Sequence, residues 1–162
     1  MTTDRRTFLT VAGLGVLTAA GGGAPAGAAP LPDFPFKLSD AEWRKRLSPA
    51  AYRVLRHADT ERAFTSPLNK EHRTGTFACA GCGKPLYASS TKFESGTGWP
   101  SFYRPLPNAV VTRTDNTLGM SRTEVLCRNC GGHLGHVFDD GPPPTGKRYC
   151  MNGLALAFRP KA

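Results

Sequence analysis

The 162-residue sequence predicts a small, mainly β fold of antiparallel strands, preceded by two short helices. Three observations predict it. Gly (18) and Pro (14) are plentiful, which favours turns and short strands over a helical bundle. From about Thr74 onward, short runs of β character alternate with Gly, Pro, Asn and Asp. Two Cys-x-x-Cys-Gly knuckles fall at the ends of such runs, where a turn of that kind joins strands. The length suits one domain with a tail, and a 40% apolar content argues against wholesale disorder or a multi-span membrane protein.

Residues 1–29 read as an address rather than as part of the fold. Arg5-Arg6-Thr7-Phe8-Leu9 is followed by an apolar run from Val11 to Ala20 and a small-residue stretch from Gly21 to Ala29. That order is the signal-peptide pattern, and the apolar run is too short to span a bilayer. The arginine pair before Phe-Leu resembles a bacterial twin-arginine export signal. Ala26-Gly27-Ala28 offers a small-x-small cleavage site, and no cysteine for a lipid anchor lies near it. The expectation is therefore export to a periplasmic or other extracytoplasmic space, without a membrane anchor.

Residues 30–37, with Pro30, Pro32 and Pro35, read as an extended linker, and 38–160 as the folded domain. Ser39-Asp40-Ala41-Glu42 matches a capping box and opens a helix to about Leu47. Ser48-Pro49 starts another, with Ser48 as N-cap and Pro49 in the first turn, running to about His57. Neither helix carries a nucleophile or a ligand set, so both are expected to pack against the sheet. His57 and His72 read as plain surface histidines. Strands are predicted at Gly75–Cys79, Pro85–Ser89, Ser101–Tyr103, Ala109–Arg113, Ser121–Leu126, His133–Phe138 and Arg148–Phe158.

Cys79-Ala80-Gly81-Cys82-Gly83 and Cys127-Arg128-Asn129-Cys130-Gly131 are the strongest local signal. Each pair lets two thiolates of one tight turn chelate a single ion, and the trailing glycine tolerates a left-handed backbone. Together Cys79, Cys82, Cys127 and Cys130 complete a closed tetrahedral zinc site, which is structural because no position stays open. A thioredoxin-like redox pair and two disulfides are the rival readings.

The fifth cysteine stands in Arg148-Tyr149-Cys150-Met151-Asn152. Strand alternation puts Arg148, Cys150 and Asn152 on one face and Tyr149 and Met151 on the other. The apolar parity reverses near Asn152-Gly153, where a β-bulge is expected. Arg148 beside the thiol favours the nucleophilic thiolate, although a lone cysteine is often merely a small buried hydrophobe. His133 and His136 can reach a common cleft as proton donors or hydrogen-bond orienters. Trp99, held between Gly98 and Pro100, can present an indole face or fill the core.

Six motifs, in order, resemble the methionine-R-sulfoxide reductase B family: Cys79-x-x-Cys82, Ser95-Gly96-Thr97-Gly98-Trp99-Pro100-Ser101-Phe102, Cys127-x-x-Cys130, His133-Leu134-Gly135-His136-Val137-Phe138, Asp140-Gly141-Pro142 and Arg148-Tyr149-Cys150-Met151-Asn152. The resemblance spans about Leu38 to Phe158. It implies two antiparallel β-sheets with short N-terminal helices and one structural zinc held by four cysteines. It implies Cys150 as nucleophile, surrounded by His133, His136, Arg148, Asn152 and Asp140, with Trp99 and Phe102 lining a pocket for the substrate methyl. It also implies peptide-bound methionine-R-sulfoxide as substrate and a sulfenic acid on Cys150 as intermediate. Many relatives carry a resolving cysteine where this chain has Thr97, so the reductant is expected to be an external thiol, thioredoxin-like or small. A non-catalytic zinc-binding β-fold interaction module and a thiol peroxidase are the competing functions.

The formal charge of +9 falls to +8 without Arg5, Arg6 and Asp4, and to +6 once four thiolates hold a Zn²⁺. Basic residues are spread along the chain, which reads as a solvated surface and gives no case for a nucleic-acid partner. A monomer is expected.

Overall fold

The computed structural model describes residues 31–161. The arginine pair and apolar run expected to act as an export signal lie outside these residues. No helix among the described residues is long and apolar enough to cross a membrane.

Two antiparallel sheets form the body, as the motifs implied. Strands β1 (Gly75–Cys79), β2 (Pro85–Ala88) and β9 (Leu156–Pro160) make a three-stranded sheet in the order β2-β1-β9. Strands β3 (Lys92–Phe93), β4 (Ser101–Phe102), β5 (Val110–Asp115), β6 (Arg122–Cys127), β7 (His133–Phe138) and β8 (Arg148–Met151) make the second sheet, in the order β3-β4-β8-β7-β6-β5. The two-residue β3 escaped the sequence pattern because alternation needs more residues than that to register.

Helices α1 (Asp40–Arg46) and α2 (Pro49–His57) form where their caps predict. Ser39 and Glu42 close a reciprocal capping box, and Ser48 Oγ accepts from Ala51 N, so each helix start has free N–H groups satisfied. Both helices pack over the knuckle end of the sheets. Trp43 lies against Gly81 and Leu55 against Gly132. His57 and His72 are exposed. The segment before α1 is extended as expected, yet it is no free spacer. Phe36 N donates to Asn129 O at 2.9 Å, and the Phe36 ring packs on Trp43.

The core between the sheets is aromatic. Phe77 and Tyr87 from one sheet meet Phe102 from the other, with Tyr87 and Phe102 stacked at 4.4 Å. Phe102 is fully buried. The expectation that it lines a substrate pocket is thereby corrected, because in its two-residue strand it faces the opposite sheet rather than solvent.

The predicted strand Arg148–Phe158 is also corrected. It breaks after Met151, passes through a 3-10 turn at Gly153–Ala155, and resumes as β9 in the other sheet. The change of apolar parity near Asn152 is therefore a crossing between sheets, not a bulge. Parity alone cannot separate the two, since both reverse the face that the side chains occupy. A bulge does occur nearby, in β7. There Gly135 pairs with Val125 but His133 with Leu126, which leaves Leu134 as the extra residue.

Candidate active site and metal centre

At one end of the sheets the two knuckles meet. Cys79 closes β1 and Cys127 closes β6, so one sulfur pair comes from each sheet. The four sulfurs lie within 4.8 Å of one another. Cys79 and Cys130 are 3.7 Å apart, and Cys82 and Cys127 are 3.6 Å apart. Disulfide sulfurs would sit at ~2.05 Å, so neither pair is bonded. A tetrahedral site with Zn–S bonds of ~2.3 Å has sulfur–sulfur edges of about 3.8 Å, and the spacing fits it. Hydrogen bonding among the sulfurs pushes Cys79 and Cys130 up and Cys82 and Cys127 down, because thiolates this close cannot all ionise unless a cation shares their charge. The knuckle glycines Gly83 and Gly131 have φ of +77° and +67°, the left-handed backbone that the motif anticipates. A zinc ion held by these four residues would clamp the three-stranded sheet to the six-stranded one. Every strand pairing described is antiparallel, which leaves no βαβ unit for a thioredoxin-like reading of the knuckles.

The fifth thiol lies elsewhere, on one face of the six-stranded sheet. Cys150 pairs with His136 on β7 and with Ser101 on β4, in the middle of the sheet. As alternation predicts, Tyr149 and Met151 point the other way, towards Tyr87, whose hydroxyl donates to the Met151 sulfur at 3.0 Å. Gly135 has a reason of its own. A Cβ there would stand 2.1 Å from the Cys150 carbonyl oxygen, so no larger residue allows β7 and β8 to approach this closely.

Cys150 opens into a cleft of about 130 Å³, lined also by Thr60, Trp99, Arg122, Gly135, His136, Phe138 and Asn152. That is below the ~300–1,000 Å³ of sites that hold drug-sized ligands or cofactors, and it suits a small side-chain group. A larger groove of about 730 Å³ runs beside α1 and α2 near Tyr52 and His57, but no cysteine lines it. Trp99 is half-buried, with its Nε1 donating to the Glu61 carbonyl at 3.1 Å, so its ring is fixed rather than free. Asn152 is held by Leu134 O and by the Glu61 N–H.

Two charged relays adjoin the cleft, and Arg122 and His136 of the first line it. Arg122 donates to Asp115, which accepts from His136 Nε2 at 2.7 Å. Arg113 donates to Glu124, which accepts from His133 Nδ1 at 2.6 Å. The β7 bulge places both imidazoles on one face, with ring centroids 5.5 Å apart. Hydrogen bonds from Thr117 and His136 hold Asp115 well below the usual carboxylate range. Burial pushes Glu124 up, but His133 and Arg113 together outweigh it and leave it lowered. Both carboxylates are thus ionised acceptors, so the facing ring nitrogens carry protons. Burial lowers His136 below the ordinary imidazole value despite the Asp115 contact. His133 Nε2 is buried and has no hydrogen-bond partner among the described residues.

Arg148 is gripped by Asp140 through two hydrogen bonds of 2.9 and 2.8 Å, which raises the guanidinium, and its Cys150 neighbour adds to that. Asp140 meets Arg148 with a side chain that is otherwise largely exposed. Thr97 Oγ1 is 3.7 Å from Cys150 Sγ.

Cys150, His136, Trp99 and Asn152 are therefore brought to one cleft, with His133, Arg148 and Asp140 behind or beside it, while Phe102 is in the core. Sequence reasoning missed Asp115, Glu124, Arg113, Arg122 and Glu61. A signal for the first four existed. A hairpin turning at Leu118-Gly119 pairs Asp115 with Arg122 and Arg113 with Glu124, two complementary charge pairs on one face.

The SelR domain family matches residues 47–160. A protein from Thiobacillus denitrificans named peptide methionine sulfoxide reductase MsrB is 60% identical over 124 residues, covering 76% of this chain and 94% of that one. One of the same name from Leptospira interrogans is 56% identical over 122 residues, covering 75% and 93%. The chloroplastic peptide methionine sulfoxide reductase B1 of Arabidopsis thaliana is 54% identical over 120 residues, covering 74% and 59%. A matched stretch of this extent contains both knuckles, both histidines and Cys150, and the chain belongs to the SelR-domain family of methionine sulfoxide reductases, type B.

Proposed function

We propose that this protein reduces peptide-bound methionine-R-sulfoxide to methionine, with Cys150 as the nucleophile. The observation that carries the reading is the pairing of one unligated sulfur with an imidazole, an indole and a guanidinium around a single small cleft. The Cys150 thiolate attacks the sulfoxide sulfur while the oxygen takes up one proton from solvent, through a water that the His133–His136 pair orients. The oxygen leaves as hydroxide on Cys150, the thioether departs as methionine, and the cysteine sulfur has lost two electrons as a sulfenic acid. Arg148 supplies a cation beside the reacting sulfur, and the Trp99 ring is the wall that receives the substrate methyl.

A first external thiol then condenses with the sulfenic acid to release water, and a second frees Cys150 as the thiol. Four of the five cysteines are drawn together at the metal centre, and Thr97 occupies the place beside Cys150, so the reductant comes from outside, as a thioredoxin-like protein or a small thiol. Residues 1–29 carry the protein out of the cytoplasm by the twin-arginine route, which accepts folded cargo and lets zinc load first.

The test is turnover of a methionine-R-sulfoxide peptide with dithiothreitol, wild type against Cys150→Ser. Loss of about three orders of magnitude or more is expected in the variant, as for removal of a nucleophile. Turnover in the variant would remove the mechanism, and an inactive wild type would favour the non-catalytic zinc module.

A further inference from the structure

The loop after α2 carries a buried acid that none of the chemistry above uses. Glu61 is buried, and both its carboxylate and its backbone polar groups are engaged. Its carboxylate accepts from the backbone N–H groups of Gly153 and Leu154, the latter at 3.1 Å, so it holds the 3-10 turn where the chain crosses between sheets. Its own N–H donates to Asn152 Oδ1 at 3.0 Å. Its own carbonyl accepts from Trp99 Nε1 at 3.1 Å. One residue thus grips two cleft-lining side chains, Asn152 and Trp99, that belong to different elements. The following residues extend the contact. Phe64 N donates to Gly98 O at 2.8 Å, so the loop runs along the backbone that carries Trp99.

From this geometry we propose that Glu61 is a positioning residue which, by tying the crossing turn to the Trp99 loop, fixes the gap between the indole and Cys150 and so sets how tightly the cleft holds the substrate methyl. The proposal rests on the sulfoxide reading of the cleft. Burial raises the Glu61 carboxyl even against its two N–H donors, so the ionised group costs stability where it stands. Its contribution is placement. Glutamine has the same shape, but it presents one oxygen and one NH2. The NH2 would face a backbone N–H, and one of the two anchoring bonds is lost.

The experiment uses Glu61→Gln in the full chain, and again in a Trp43→Phe background, where Trp99 is the one remaining tryptophan of the sequence's two. With an acetylated methionine-R-sulfoxide amide and dithiothreitol, KM is expected to rise about five- to tenfold, the equivalent of one lost hydrogen bond, with kcat within about twofold. Trp99 emission shifts to longer wavelength as its wall loosens, while Cys150 alkylation by iodoacetamide keeps its wild-type rate. Glu61→Asp, charged but one methylene short, should reproduce the KM rise and guards against a misfolded glutamine variant. Unchanged KM and unchanged emission in the folded variants, or a loss confined to kcat and alkylation, would overturn the proposal. An inactive wild type would instead refute the sulfoxide reading, and the emission shift would still report on the Glu61 contact.

Discussion

Two regions of this molecule hold the same functional group and give it opposite lives. At the knuckle end, four sulfurs stand 3.6–3.7 Å from a neighbouring sulfur inside a closed cluster. In the sheet face, Cys150 has a hydroxyl at 3.7 Å in place of a sulfur, beside a guanidinium and an imidazole, at the floor of an open cleft. The sulfur is chemically identical in both places. What differs is whether its charge is shared with a metal or left beside a cation that substrate can approach. Partition of the five thiols between these regions sets one of them apart from the cluster of four.

The comparison breaks most visibly if the metal is removed. Chelation is expected to lower Tm by about 10 °C or more, since a structural zinc contributes its binding energy to folding. Cys150→Ser should leave Tm within a few degrees, because the side chain stays similar in size and no metal depends on it. A scan of both proteins with and without chelator decides it. An equal loss from the serine substitution would mean that the fifth thiol is also structural.

Thr97→Cys sharpens the comparison by giving Cys150 a sulfur neighbour of its own. The hydroxyl already lies close enough that a thiol in its place comes within reach of bonding after a modest side-chain rotation. We expect one turnover to leave an intramolecular disulfide, read by peptide mapping and free-thiol counting, with zinc content unchanged. If the disulfide instead joins Cys150 to a knuckle cysteine, the two regions are not chemically separate.

The smallest effect concerns pH. Burial lowers His136, so the folded ring resists a proton that the unfolded ring accepts near pH ~6.5. The unfolded state therefore binds more protons as pH falls, and stability declines from about 6.5 downward while rising with pH towards it. His136→Asn should flatten that slope by less than about 1 kcal/mol between pH 7.5 and 5.5, measured by urea unfolding. A variant whose slope matches wild type would show that His136 titrates as a free imidazole.

Much of the fold was legible because local rules sufficed. Caps placed α1 and α2, the knuckles placed the metal ligands, and alternation at Arg148–Met151 told which side chains flank Cys150. The errors share one cause. Phe102 sits beside Trp99 in a single loop motif, yet its strand turns the ring into the aromatic core, and sequence distance does not encode which sheet a two-residue strand faces. Likewise the parity change after Met151 looked like a bulge and proved to be a crossing between sheets.

The sequence by itself determined both helices, most of the strands, the division of the five cysteines and the family, because each rests on spacings of a few residues that local geometry enforces. Only the tertiary structure decided what surrounds Cys150. Asp115 and Glu124 reach the histidines through hairpin register and a β7 bulge, and Glu61 reaches Trp99 and Asn152 across 38 and 91 residues. Hydrogen bonds between distant residues depend on how sheets and loops close on one another, and no local periodicity carries that information.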